Sequence, residues 1–147
     1  MRRTRALSFT DYERPVLRQT LAETGFAWFL RVIAIFCLLF GVFYWIRLIG
    51  VYDGFNWRFD LMPVHWKIAA ASLAVLFPFA ALGLWLMASW GPILWFACAA
   101  IETVMYVWQY DLFSYRPVIA VTHAAIAVLY IAFRLVIQLQ RRQIGYP

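Results

Sequence analysis

Long stretches of this chain carry almost no polar side chain, and where polarity returns it does so abruptly. Four apolar segments alternate with short breaks: Phe26 to Gly50, Trp66 to Trp90, Pro92 to Tyr110 and Pro117 to Gln138. At about 1.5 Å of rise per residue, each helix is long enough to cross a hydrocarbon core of about 30 Å. The strands of a membrane barrel would alternate apolar and polar positions, and these segments do not. The breaks have turn chemistry. Tyr52-Asp53-Gly54 closes the first segment, Pro63 precedes the second, Gly91-Pro92 divides the second from the third, and Pro117 opens the fourth. The pattern predicts an all-α integral membrane protein, a bundle of four transmembrane helices at 26–50, 66–90, 92–110 and 117–138. A basic tail (1–25) and a short basic tail (139–147) flank this single domain.

Composition removes the main competitor. Of 147 residues, 65% are hydrophobic and only 14% charged, more apolar surface than a soluble domain of this size can hide. The formal charge of +6 would suggest nucleic acid on a soluble surface, but most basic residues flank apolar runs and set topology instead. One side of the bilayer receives Arg2, Arg3, Arg5, Arg14, Arg18, Arg31, Arg134, Arg141 and Arg142; the other receives Arg47, Arg58, Lys67 and Arg116. This bias predicts both termini in the cytoplasm. Tryptophan, which favours the headgroup level, gives a second estimate: Trp28, Trp85, Trp90 and Trp95 map to the inner face, and Trp45, Trp57, Trp66 and Trp108 to the outer. The apolar stretch after Arg2-Arg3 begins too late and runs too long for a secretory signal. From Pro15 onward, an interfacial helix and a loose basic tail are both compatible with the sequence.

Glu102 is the most informative position, an ionisable group near the middle of the third span. Such a group is costly in hydrocarbon and is a functional candidate by default. Tyr106 and Gln109, at i+4 and i+7, extend a polar stripe along the same helical face. His123 in the fourth span lies within about 5 Å of the depth of Glu102, so antiparallel packing of the two spans permits a hydrogen bond between them. The pair reads either as glue between helices or as a proton relay or ligand site. Arg47 has two readings of its own: snorkelling to the outer headgroups, or pairing with Glu102. These candidates gather in the outer halves of the spans, so any site is expected to open toward the periplasm. Cys37 and Cys98 read as buried thiols. The two histidines, His65 and His123, sit at mismatched depths for a haem and lack partners for zinc, so no cofactor or metal is expected.

The outer loop from Val51 to Pro63 is dense in aromatic and charged residues. Tyr52, Phe55, Trp57, Arg58 and Phe59 would either dock a partner protein or lie on the headgroups.

The run Trp28-Phe29-Leu30-Arg31 through Tyr44-Trp45-Ile46-Arg47-Leu48-Ile49-Gly50, then Tyr52-Asp53-Gly54, Trp57-Arg58-Phe59-Asp60-Leu61-Met62-Pro63 and Trp90-Gly91-Pro92, resembles a family of small four-helix inner-membrane proteins of alphaproteobacteria. The likeness covers nearly the whole chain beyond the basic tail. It implies a bacterial inner membrane, and the family carries no agreed activity to transfer. Nucleotide loops, nucleophile elbows and HExxH are absent, so no enzymatic reaction is expected. Two functions fit best. One is a non-enzymatic accessory or assembly subunit of a larger inner-membrane complex. The other is a small oligomeric transporter or proton-coupled carrier using the Glu102–His123 pair. Expected partners are the lipid bilayer, with other membrane subunits or further copies of the chain, and no nucleic acid. A lipid- or quinone-handling enzyme is a third, weaker reading.

Overall fold

The computed structural model describes residues 21–54, 57–113 and 116–143. Among them are four helices long and apolar enough to cross a membrane. Helix α1 is Leu21–Ile49 and α2 is Val64–Trp85. The third span is α3, Trp90–Thr103, continued by a π-helical turn at Val104–Trp108. A single turn, α4 at Tyr110–Phe113, leads toward α5, Pro117–Gln143. The interfacial segment considered from Pro15 lies outside the described residues.

The second span ends five residues earlier than the hydropathy suggests. Met87 adopts a φ of 54°, a left-handed conformation usually left to glycine at a helix terminus. The Ala88 N–H then donates to the Gly83 carbonyl at 2.9 Å, and the Met87 N–H to the Leu84 carbonyl at 3.1 Å. That paired closure is a Schellman motif, and it turns the chain within a few apolar residues. The next helix starts at once, and the two backbones touch: a Cβ on Gly83 would fall 2.6 Å from Gly91 Cα.

Buried positions follow a seven-residue rhythm. In α1 they include Leu30, Ala34, Cys37, Gly41 and Tyr44. In α2 they include Trp66, Ala70, Leu73, Phe77, Ala80 and Leu84. Spacings of four and three in alternation are those of left-handed, coiled-coil-like packing. The two stripes interlock antiparallel, with Phe77 stacked between Phe40 at 5.7 Å and Tyr44 at 5.9 Å. Gly41 is required where Pro78 crosses, because a Cβ there would meet Pro78 Cδ at 2.7 Å. Small residues permit this approach, and dispersion between the closely packed chains replaces the hydrophobic effect that lipid cannot supply.

Helix α3 continues the rhythm through Gly91, Trp95, Cys98 and Glu102. Helix α5 shows it too, in the half-covered residues Ile119, His123, Ile126, Tyr130, Phe133 and Ile137. No described residue of α5 is buried outright. Near the ends that carry the chain termini, α5 is zipped to α1 by rings: Phe26 lies 5.7 Å from Tyr130 and Phe29 5.3 Å from Phe133. Toward the opposite end, which carries the Val51–Pro63 loop, this seam parts.

Candidate functional site

Glu102 occupies the α3 stripe and is 3% exposed. Both of its oxygens are engaged. The Tyr44 hydroxyl, from α1, donates to Oε1 at 2.8 Å; His123 Nε2, from α5, stands 2.8 Å from Oε2. Each of the three side chains sits at a core-facing position of its helix, so the seven-residue register of three helices brings them to one level. A lone carboxylate at this depth would be costly. A donated hydroxyl and a partner imidazole that can share the proton reduce that cost.

Glu102 and His123 form one wall of a cavity of about 360 Å³. The remaining lining is apolar apart from Thr122, the thiol of Cys37 and the indole of Trp95, and includes Phe36 and Phe40 of α1, Phe77 of α2, and Val118 and Ile126 of α5. The Thr122 hydroxyl is already turned back onto the Val118 carbonyl at 2.8 Å, which leaves Glu102 and His123 as the cavity's polar end. Phe36, Phe40 and Val118 are exposed on their outer sides. The mouth therefore lies in the seam between α1 and α5 and faces the lipid rather than the aqueous end expected from the polarity gradient. His123 Nδ1 is buried and has no hydrogen-bond partner. Trp95 packs edge-on against this imidazole, with ring centroids 6.1 Å apart.

Two of the sequence candidates lie elsewhere. Arg47 is 7% exposed and neither snorkels nor pairs with Glu102. Its guanidinium carbon lies 4.6 Å from the Trp66 ring centre, 4.8 Å from Trp57 and 5.5 Å from Phe43. Nε and Nη1 have no hydrogen-bond partner, so aromatic faces take the place of an anion. Such contacts are worth about 2 kcal/mol when desolvated. Gln109 is exposed and lines a groove beside His65, Ser72 and Phe113. Its displacement has a local cause. The Gln109 N–H bonds to the Val104 carbonyl five residues back, at 2.9 Å, and a π turn advances each residue less around the axis than an α turn does. The i+7 relation to Glu102 is thereby broken. Tyr106 stays on the buried face and meets Trp66 edge-on at 6.5 Å.

Trp57 is folded inward over Arg47 instead of being offered to a partner, and it is held there by Phe43 and Tyr52, each with its ring centre 5.3 Å away. Tyr52, Arg58 and Phe59 remain exposed, with Lys67 placed 5.2 Å over the Phe59 ring. Phe55 lies outside the described residues. Arg58 grips Asp60 through Nε at 3.2 Å and Nη2 at 2.8 Å. These hydrogen bonds hold the Asp60 carboxyl below its usual range and push the Arg58 guanidinium up.

Tyr44 is the site residue that sequence reasoning missed. It shares the stripe with Cys37 and Gly41 and lies one turn before Arg47, a signal hidden by the many neighbouring aromatics. Trp66 and Trp95, counted among the interfacial belts, are buried, at 5% and 4% exposure. Among the described residues, no group of three His, Cys, Asp or Glu side chains is placed to hold a metal ion.

Fold and site together define a multi-pass membrane protein with a polar layer of carboxylate, imidazole and phenol set beside an intramembrane cavity. Residues 24–141 match the model of the family of unknown function DUF6163, and the chain belongs to that family. No curated protein and no solved structure matches it.

Proposed function

We propose that the protein is a small proton-linked carrier or binding protein of the bacterial inner membrane, with both termini in the cytoplasm. It admits a lipophilic molecule from the bilayer through the seam between α1 and α5. Binding is coupled to the proton shared by Glu102 and His123. One observation carries this reading: the doubly bonded Glu102 carboxylate borders a cavity of about 360 Å³. A polar layer that served only to fix helix register would need no space beside it, because packed interiors leave few voids larger than a water molecule. The volume falls in the range of about 300–1,000 Å³ typical of small-molecule sites.

Titrating the protein in lipid nanodiscs with the fluorescent lipophile phenylnaphthylamine tests the idea. Binding should saturate and its affinity should change with pH in the parent protein, while Glu102→Gln should remove the pH dependence. Unsaturable uptake that is indifferent to both would sink it.

A different observation favours the accessory-subunit reading. Ala99, Ala100, Ala120, Ala124 and Ala127 line an open groove between α3 and α5, and small residues of this kind admit a partner helix. Gentle extraction distinguishes the two functions: stoichiometric co-purifying chains support the subunit, and a retained small lipophile supports the carrier.

A further inference from the structure

The end of the bundle that carries the chain termini holds a second cavity, of about 720 Å³, and it shares no lining residue with the one beside Glu102. Its walls come from α1, from the turn after α2 through Met87, and from α5. Arg31 and Arg134 reach it from two different helices. Glu23 lines it as well, so two guanidiniums against one carboxylate leave the lining with one positive charge in excess.

Helices α1 and α5 are 29 and 27 residues long, about 43 and 40 Å, and so overhang a hydrocarbon core of about 30 Å. Polar residues place the overhang at this end: Glu23 and Thr24 in α1, Gln138 and Gln140 in α5. Arg31 follows Leu21 by ten residues, and Arg134 precedes Gln143 by nine. Both therefore stand about 14 Å along their helices, where hydrocarbon gives way to headgroups. Trp28 and Trp85, 61% and 51% exposed, mark the same level, as interfacial indoles do. The Arg31 guanidinium carbon lies 5.5 Å from the Trp28 ring centre and 6.0 Å from that of Trp85.

Snorkelling alone would carry each arginine to water by its own path. Here the two converge on one cavity, and among the described residues neither is in an ion pair. Like charges facing a common space repel, and an anion between them reverses the sign. Each guanidinium presents a planar fork of N–H donors that matches the oxygens of a phosphate. The remaining lining is mixed: Thr24 and Gln138 offer hydrogen-bonding groups beside Phe26, Ala27 and Ile137. Further into the bilayer both helices expose apolar side chains, Ile35 and Phe36 of α1 and Leu129 and Ile131 of α5. A polar head with apolar tails suits both regions.

We infer that this cavity binds the headgroup of an acidic phospholipid, with its phosphate held between Arg31 and Arg134, as basic pockets between membrane helices do. The lipid thereby bridges α1 to α5, the described span with the least packing of its own.

Native mass spectrometry of the full chain in mild detergent counts bound lipid directly. Dioleoylphosphatidylglycerol should bind as one tight adduct, about tenfold more strongly than dioleoylphosphatidylcholine, as two basic contacts and one opposing carboxylate imply. Arg31→Gln combined with Arg134→Gln should remove that preference. Arg116→Gln, which deletes a charge at the far end of α5, should leave it intact. Should the double variant fail to fold, Arg134→Gln alone, at an exposed position, should still lower the preference about fivefold. Glycerol 3-phosphate, a phosphate head without acyl chains, should not displace the lipid at millimolar concentration; displacement would make the occupant a soluble phosphate and overturn the lipid assignment. Equal binding of the two lipids, an undiminished preference in the arginine variants, or an equal loss in Arg116→Gln would overturn the site. None of these outcomes touches the carrier reading, which rests on the other cavity.

Discussion

The α1–α2 pair and α5 are built on the same seven-residue rhythm, yet they are held very differently. The first two helices interlock through Gly41, Pro78, Phe77 and Tyr44, and the rings of Phe77 and Tyr44 are closed off from the surroundings. Helix α5 leans on the bundle along one half-covered line, and its remaining faces are open. Glu102 and its partners stand where the two regimes meet: Tyr44 belongs to the tight pair and His123 to the loose helix. A hydrogen bond spanning that boundary ties the buried carboxylate to the described span that has the least packing to resist displacement.

The sharpest way to break this comparison is to truncate one apolar side chain in each region. Phe77→Ala, at 1% exposure, should cost about 3–5 kcal/mol of stability. Val128→Ala in α5, 65% exposed, should stay within about 0.5 kcal/mol. Thermal midpoints in nanodiscs measure both, and equal losses would mean that α5 is packed after all.

Glycines offer a second contrast, with opposite signs. Gly41→Ala places a methyl 2.7 Å from Pro78 Cδ, and overpacking of this kind costs about 1–3 kcal/mol. Gly25→Ala, at the α1–α5 contact, meets only Phe133 Cε1 at 3.6 Å. There the gain in helix propensity should stabilise by up to about 1 kcal/mol. Unfolding curves that move in the same direction would erase the distinction.

At the boundary itself, Tyr44→Phe removes the donor to Oε1 and should cost about 1 kcal/mol, near the upper values for hydrogen bonds between membrane helices. The carboxyl-stretch infrared band of Glu102 should shift in the same variant, which a purely steric role for the hydroxyl would not produce.

The smallest effect belongs to the loop. The Asp60 carboxyl is held down by Arg58, so their bridge is fully present above the ordinary carboxylate range, near pH 4. It is lost only as the pH falls through the lowered folded value. Acidification should change the emission of the neighbouring Trp57 at lower pH than a free aspartate would titrate, and Arg58→Ala should move that midpoint up. Both groups are exposed, so overall stability should hardly respond.

The spans were legible because a run of side chains without charge has few interpretations in a bilayer. The proximity of Glu102 and His123 was also legible, since depth can be counted along a helix and two spans joined by a short turn must run antiparallel. Arg47 was not, because its cage draws Trp57 from a loop and Trp66 from the next helix, and no local pattern reveals that meeting. Gln109 was misplaced by assuming uniform α geometry through Val104–Trp108. The end of α2 was hidden as well: an apolar residue such as Met87 gives no sign that it will take the role of a terminal glycine. Trp66 and Trp95 show the weakness of counting tryptophans as interfacial, since burial against Arg47 or His123 serves the indole equally well.

The π turn lets one span keep two appointments. Up to Thr103 the third span addresses its polar face to Tyr44 and His123, and past Trp108 the same line of sequence looks onto the groove beside His65 and Phe113. A helix of unbroken pitch would have to choose between them. Were Val104–Trp108 wound as α-helix with no residue lost, Gln109 would return at i+7 to the side of Glu102, so what the layer holds is set by the pitch of the helix as well as by its side chains.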